Sequence, residues 1–130
     1  MRSVVQRVDK ADVWIGGRRT SGIEKGLLVF LGIEQGDQER DADYLTEKII
    51  NLRIFEDEHG KMNLSLLDIH GEMLIVSQFT LAGDCRKGRR PSFTGAEKPD
   101  LAKMMYDYFV TKAMREVNRV SLGEFQAQMS

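Results

Sequence analysis

Scarcity is the first feature of this 130-residue sequence, which contains one cysteine, one tryptophan and two prolines. A lone Cys85 cannot form an internal disulfide, and such usage suits a reducing compartment. With only Pro91 and Pro99 the chain is neither collagen-like nor a proline-rich linker. No excess of one charge exists either: 19 basic residues face 20 acidic ones, for a formal net charge of −1. Any nucleic-acid binding must therefore come from a local patch rather than a global basic field. The longest apolar runs, residues 26–33 and 73–76, fall far short of the ~20 residues that span a bilayer. Charges at Arg2 and Arg7 stand where a signal peptide needs an apolar stretch. These absences predict a soluble, cytoplasmic chain with no membrane partner.

The usual catalytic signatures are missing as well. There is no G-x-S-x-G, no P-loop and no G-x-G-x-x-G. His59 and His70 each sit beside a glycine, with no Cys or carboxylate grouping at zinc-ligand spacing, so no metal site is expected. Asp57 and Glu58, beside His59-Gly60, read as turn residues. Cys85 lies among basic residues but has no obvious histidine partner.

What is present is an ordinary globular composition, 42% hydrophobic and 30% charged, at a length that supports a single domain spanning 1–130. Residues 3–8 and 11–15 are rich in β-branched side chains and predict strands, and Gly16-Gly17 predicts a tight turn. Residues 26–33 are apolar on both faces and predict a central strand covered on both sides. Asp37 is placed to cap a helix whose stripe is Ala42, Leu45, Ile49 and Leu52. Short strands are expected at 53–55 and 65–67, and a longer one at 72–81. Pro99 opens a second helix with a buried stripe of Leu101, Met104, Met105, Tyr108, Phe109 and Ala113. Another strand is expected to begin at Gly123-Glu124-Phe125. Many strands and two separated helices make an α+β domain, a β-rich antiparallel or barrel-like core with two principal helices.

Two segments carry chemistry. Residues 82–97 join the best strand to the second helix without periodicity, and long loops of this kind are often functional. Inside it, Arg86-Lys87-Gly88-Arg89-Arg90 sets four cations within five positions, a pattern that suits phosphate oxygens as well as a solvated surface. The second segment is the strand end. After apolar 73–76, the polar Ser77, Gln78 and Thr80 need hydrogen-bond partners, with Ser77 and Phe79 on one face and Gln78 and Thr80 on the other.

Ser77-Gln78-Phe79-Thr80-Leu81, followed by Gly88-Arg89-Arg90-Pro91-Ser92-Phe93, resembles the D-aminoacyl-tRNA deacylase (D-tyrosyl-tRNA deacylase) family. So do Val5-Gln6-Arg7-Val8, Gly26-Leu27-Leu28-Val29, Arg53-Ile54-Phe55, Lys61-Met62-Asn63-Leu64, Tyr106-Asp107-Tyr108-Phe109 and Gly123-Glu124-Phe125. The resemblance covers the whole sequence in order. It implies a cofactor-independent homodimer with active sites at the subunit interface. Each site would hydrolyse the ester of D-aminoacyl-tRNA, and of glycyl-tRNA mischarged on tRNA-Ala; aminoacyl-tRNA is the implied partner, not DNA. Carried over, Ser77, Gln78, Phe79 and Thr80 are the catalytic-site residues. Arg86, Lys87, Arg89 and Arg90 would hold the tRNA, and Pro91, Ser92 and Phe93 would support the pocket. The family's N-x-G-P-V-T-like C-terminal motif has no counterpart in these 130 residues, which predicts a chain shortened relative to the family and poor rejection of L-amino acids.

Two family accounts exist for the chemistry, with either Thr80 or the 2′-hydroxyl of the terminal adenosine at its centre. A threonine hydroxyl is a poor nucleophile without an adjacent base, and the sequence shows none near position 80. Backbone amides aimed at a developing oxyanion leave no side-chain signature and each lower the barrier by ~2.7–4 kcal/mol, so the residues favour the second account. Two alternatives stay open: a tRNA-binding module of the same fold with impaired catalysis, and an ester hydrolase using Cys85.

Overall fold

In the computed structural model, which describes residues 1–130, the chain begins with four strands in succession: β1 (Arg2–Val8), β2 (Ala11–Ile15), β3 (Arg18–Ile23) and β4 (Gly26–Gly32). Gly16 and Gly17 join β2 to β3 with φ of 58° and 76°, the left-handed pair that a two-residue hairpin turn requires. Helix α1 (Glu39–Asn51) follows, then the short strands β5 (Phe55–Glu56) and β6 (Met62–Leu64), and then β7 (Glu72–Ser77). Helix α2 (Pro99–Glu116) and strand β8 (Arg119–Leu122) complete the elements.

The principal sheet has the order β1-β4-β7-β8. Its β1–β4 pair is antiparallel, but β4–β7 and β7–β8 are parallel. The α+β class and both helices are as expected; the sheet is mixed rather than antiparallel. The reason lies in the connections. After β4 and again after β7 the chain returns through a helix, and such a crossover starts the next strand at the same end as the last.

Leu27, Val29, Leu31, Met73 and Ile75 point to the helical side, where they pack with Ile49, Phe109 and Ala113 in the larger core cluster. Burying each such side chain fully contributes roughly 1.5–3 kcal/mol relative to exposure. On the opposite side Leu74 and Val76 pack with Val13 and Ile23 of the β2–β3 hairpin. Both faces of β4 and β7 are therefore covered, which explains their unbroken apolar sequences. The β4–β7 approach is tight at its start: a Cβ on Gly26 would lie 1.7 Å from the Glu72 carbonyl oxygen.

Several local expectations are corrected. Gln38, not Asp37, caps α1, and its amide is held by the Asp41 carboxylate at 2.8 Å. The Asp37 carboxylate instead accepts from the Met1 ammonium at 2.7 Å and the Glu34 amide at 2.7 Å. The strand expected at 65–67 lies just upstream as β6, because the Ser65 amide and the Asp68 carboxylate close a turn there at 2.9 Å. On α2, Leu101 and Met104 are exposed, while Tyr106 and Val110 join Phe109 and Ala113 inside. The last strand precedes Gly123 rather than starting from it. No helix is long and apolar enough to cross a membrane.

Candidate active site

Strand β7 stops at Ser77, four residues before the expected end. The Gln78 amide makes one further sheet-like bond to the Leu31 carbonyl at 2.8 Å, and the backbone then coils into a 3-10 turn, Phe79–Ala82. Bonds from the Leu81 amide to the Gln78 carbonyl (3.3 Å) and from the Gly83 amide to the Thr80 carbonyl (3.0 Å) hold that turn. It can settle on the end of β4 because position 32 is glycine: a Cβ there would lie 3.0 Å from both the Gln78 carbonyl oxygen and Leu81 Cβ. The strict two-face alternation read from the sequence is thus lost after Ser77. Ser77 and Gln78 are half-buried, and Phe79 and Thr80 are exposed. Gln78 and Thr80 nevertheless meet, as the Gln78 side-chain amide donates to Thr80 Oγ1 at 2.6 Å.

A cleft of about 460 Å³ opens at this junction. Ile33, Ser77 and Gln78 contribute from the carboxyl ends of the parallel pair β4 and β7, the position where open sheets with crossover helices commonly bind ligands. Phe79 and Phe93 add an aromatic pair with centroids 5.4 Å apart. Ala96 lines it from the loop before α2, Pro99 and Ala102 from the first turn of α2, and Phe125 and Met129 from the C-terminal segment. Reciprocal backbone bonds between Trp14 and Ser130, at 2.8 and 2.9 Å, fasten that segment, and Phe125 leans on Tyr106 with centroids 5.8 Å apart. Burial pushes the Tyr106 phenol up to about 12, so it remains a neutral donor to the Ile75 carbonyl at 3.1 Å.

Glu97 is the one charged residue among those lining the cleft, and its Oε1 accepts from the Lys98 amide at 2.8 Å. The lining is otherwise apolar or amide and hydroxyl in character. No group of three or more His, Cys, Asp or Glu is arranged to hold a metal ion. Thr80 Oγ1 is hydrogen-bonded to an amide donor, not to a base, so nothing here raises its nucleophilicity. The chemical means on offer are polar side chains, backbone amides and an apolar surround.

Beside the cleft, Asp84 and Ser92 exchange backbone bonds of 2.7 and 2.8 Å and tie the base of the cationic loop. Gly88, with φ of 77°, takes the left-handed conformation at its tip. Arg86 is spoken for. Its guanidinium contacts both Asp84 carboxylate oxygens at 2.7–3.1 Å, and hydrogen bonds from the Arg86 side chain and amide hold the Asp84 carboxyl at about 2. Lys87, Arg89 and Arg90 are exposed and carry no such carboxylate partner.

Of the residues singled out from sequence, the cleft brings together Ser77, Gln78, Phe79 and Phe93. Thr80 is next to it through Gln78. Pro91 and Ser92 are exposed on the loop and do not line the cleft. Cys85 is exposed and shares a separate depression with Arg2, Glu34 and Asp84. The contributions of Ile33, Ala96, Glu97, Ala102, Phe125 and Met129 were not legible from sequence, because no local pattern announces that three distant segments converge.

This fold is shared with solved structures. One, named "c-Myc DNA Unwinding Element Binding Protein", superposes with a TM-score of 0.95 at 38% identity, covering 100% of this chain and 89% of that one. Another, titled "Structural Analysis of a probable eukaryotic D-amino acid tRNA deacylase", has a TM-score of 0.80 at 16% identity and covers 98% of this chain and 90% of that one. A family model described as D-Tyr-tRNA(Tyr) deacylase matches residues 4–130. A D-aminoacyl-tRNA deacylase of Syntrophus aciditrophicus is 64% identical over 129 residues, covering 99% of this chain and 87% of the relative. One of Thermosipho melanesiensis is 58% identical over 130 residues, with the same coverage. The chain belongs to the D-Tyr-tRNA(Tyr) deacylase family.

Proposed function

We propose that the cleft beside Ser77–Thr80 is where this chain carries out the reaction of its family, hydrolysis of the ester joining a D-amino acid to the 3′ end of tRNA. The observation that carries the site assignment is the junction itself. A parallel strand end delivers Ser77 and Gln78 into an apolar cleft that Phe79 and Phe93 also line, with Thr80 bonded to Gln78 and the cationic loop closed by Asp84 and Ser92, the residue before Phe93. In the reaction a water oxygen bonds to the ester carbonyl carbon, the bond to the ribose oxygen breaks, and that oxygen leaves with a proton. Free amino acid and tRNA result.

The Gln78–Thr80 pair acts in binding and orientation, because Thr80 has no base to take its proton. Phe79 and Thr80 open the 3-10 turn, so their amides have no partner inside it. Such amides suit the developing carbonyl oxyanion, each at ~2.7–4 kcal/mol of barrier. The substrate's own 2′-hydroxyl then remains available to assist the attacking water. Lys87, Arg89 and Arg90 hold the tRNA backbone, with Arg86 in a lesser role. Pro91 and Ser92 act at a distance, by fixing the loop that presents Phe93.

Three finer points belong to the same proposal: glycyl-tRNA mischarged on tRNA-Ala is a second substrate, the working form is a cytoplasmic homodimer, and its sites lie at the subunit interface. A binding module without catalysis is the second reading, favoured by the name of the 38%-identical structural neighbour, which refers to binding alone. Incubation with matched D-, L- and glycyl-tRNA, following ester loss against an enzyme-free control, separates the two. Turnover of the D-aminoacyl ester supports the enzyme; tRNA binding without ester loss supports the module. Light scattering at twice the 14.8 kDa chain mass checks the dimer, and an active monomer contradicts the shared site.

A further inference from the structure

A cleft that admits the end of a polyanion gains nothing toward the phosphates from a negative charge of its own, yet Glu97 supplies one. It is half-buried and shares the lining with the apolar Ile33, Phe93, Pro99 and Ala102. The backbone fixes its place. The Glu97 amide donates to the Ile33 carbonyl at 3.0 Å and the Gln35 amide to the Gly95 carbonyl at 2.9 Å, while Glu34 and Ala96 form an antiparallel bridge. Residues 95–97 therefore ride on the chain that leaves β4, at the same end of the sheet as Ser77. One carboxylate oxygen is in use, since Oε1 accepts from the Lys98 amide at 2.8 Å. No lysine, arginine or histidine forms an ion pair with the carboxylate, which leaves its charge open to a cation brought into the cleft.

We propose that Glu97 receives the α-ammonium of the aminoacyl group and is a specificity-determining residue of the reaction. The inference rests on the function proposed above. Its occupant follows from charge and connectivity. An aminoacyl ester carries negative phosphates on the nucleotide side and a single ammonium on the acyl side. That ammonium sits on the carbon next to the ester carbonyl, so the group that accepts it must line the same cleft as Ser77 and Gln78. The other polar side chains there, Ser77, Gln78 and Gln126, are neutral, and Gln78 already donates to Thr80. A hydrogen bond between ammonium and carboxylate is roughly twice as strong as one between neutral groups. Closing the start of α2 through the Lys98 amide does not call for a charge, because a glutamine oxygen accepts from that amide as well.

The test sets Glu97→Gln against the wild-type chain on two esters of the same tRNA, D-phenylalanyl-tRNA and D-phenyllactyl-tRNA, the second with a hydroxyl in place of the ammonium. Comparing variant with wild type on each ester cancels the difference in their intrinsic reactivity. Glutamine keeps the size of the side chain and an oxygen for the Lys98 amide, and removes only the charge. It should lower kcat/KM on D-phenylalanyl-tRNA by about 10-fold, the low end for a hydrogen bond to a charged group because Glu97 is half-buried. On D-phenyllactyl-tRNA the change should stay below about twofold. Glu97→Asp, which keeps the charge on a shorter stem, should lose less on the first ester than Glu97→Gln does. Equal slowing of both esters would mean that Glu97 only supports the start of α2, and would overturn the assignment. An unchanged rate on D-phenylalanyl-tRNA would overturn it too, while leaving the proposed function standing. If the wild-type chain hydrolyses neither ester, the proposed function itself fails, and the assignment with it.

Discussion

The cationic loop offers four positive charges to the eye and three to a phosphate. Arg86 is held by both oxygens of Asp84, whereas Lys87, Arg89 and Arg90 have no such partner. Each neutralised phosphate contributes about 0.7 (single strand) to 0.9 (duplex) to the slope of log affinity against log salt. Replacing Lys87, Arg89 and Arg90 together by Ala should therefore flatten the slope for tRNA by about 2–3. Arg86→Ala alone should change it by much less than ~0.7. Asp84→Asn makes the opposite prediction, a steeper slope by about 0.7–0.9, because it releases Arg86 for phosphate. Fluorescence anisotropy of labelled tRNA between about 50 and 200 mM salt reads all three. The pH dependence has a definite sign. With the Asp84 carboxyl lowered to about 2, the pair is complete above the ordinary carboxylate range and is lost only as pH falls through about 2. The Arg86→Ala result should thus be the same at pH 5 and pH 8. If Arg86→Ala flattens the slope as much as Arg89→Ala does, the pairing does not withhold Arg86 and the reasoning is wrong.

Cys85→Ser should leave deacylation unchanged, since the thiol is exposed and lies outside the cleft; a collapse in rate would reopen a thiol mechanism. Thr80→Val should slow the D-aminoacyl-tRNA reaction by less than about tenfold, through loss of the Gln78 contact, whereas a fall of ~10⁴ would identify Thr80 as a nucleophile. Gly26→Ala should destabilise the fold by about 3 kcal/mol or more in urea unfolding, because a Cβ 1.7 Å from the Glu72 carbonyl must push β4 and β7 apart.

What could be read from sequence was what depends on local chemistry. The Gly16-Gly17 turn, the doubly buried β4 and the proline that opens α2 each follow from a residue's own conformational or hydrophobic preference. The polar strand end was legible as polar. Its shape was not, because the turn after Ser77 depends on a glycine in another strand, Gly32, that admits it. The parallel direction of β7 and β8 is a property of crossover connections, which alternation patterns do not encode. Met104 and Leu101 were misplaced because an apolar residue on a helix reads the same whether or not it is covered, and 69% and 51% of these two is exposed. Asp37 was assigned to the nearest helix, but an ammonium 36 residues away in sequence competes for its carboxylate. The cation run of residues 86–90 was legible as a run, but the Arg86–Asp84 pairing that removes one of its charges is a matter of geometry.

The central claim is that the ester is hydrolysed in the cleft, and filling the cleft tests it most directly. Ala96 is half-buried, lines the cleft and bonds through its amide to the Phe93 carbonyl at 3.0 Å, a contact that a larger side chain leaves intact. Ala96→Trp should project an indole into the 460 Å³ space without touching the loop cations. Measured as kcat/KM on D-aminoacyl-tRNA, the variant should lose more than about 100-fold, the scale set by displacing a reacting group by an ångström. Its tRNA affinity and melting temperature should stay near those of the wild-type chain. Hydrolysis at the wild-type rate with the indole in place would put the chemistry somewhere else on the molecule.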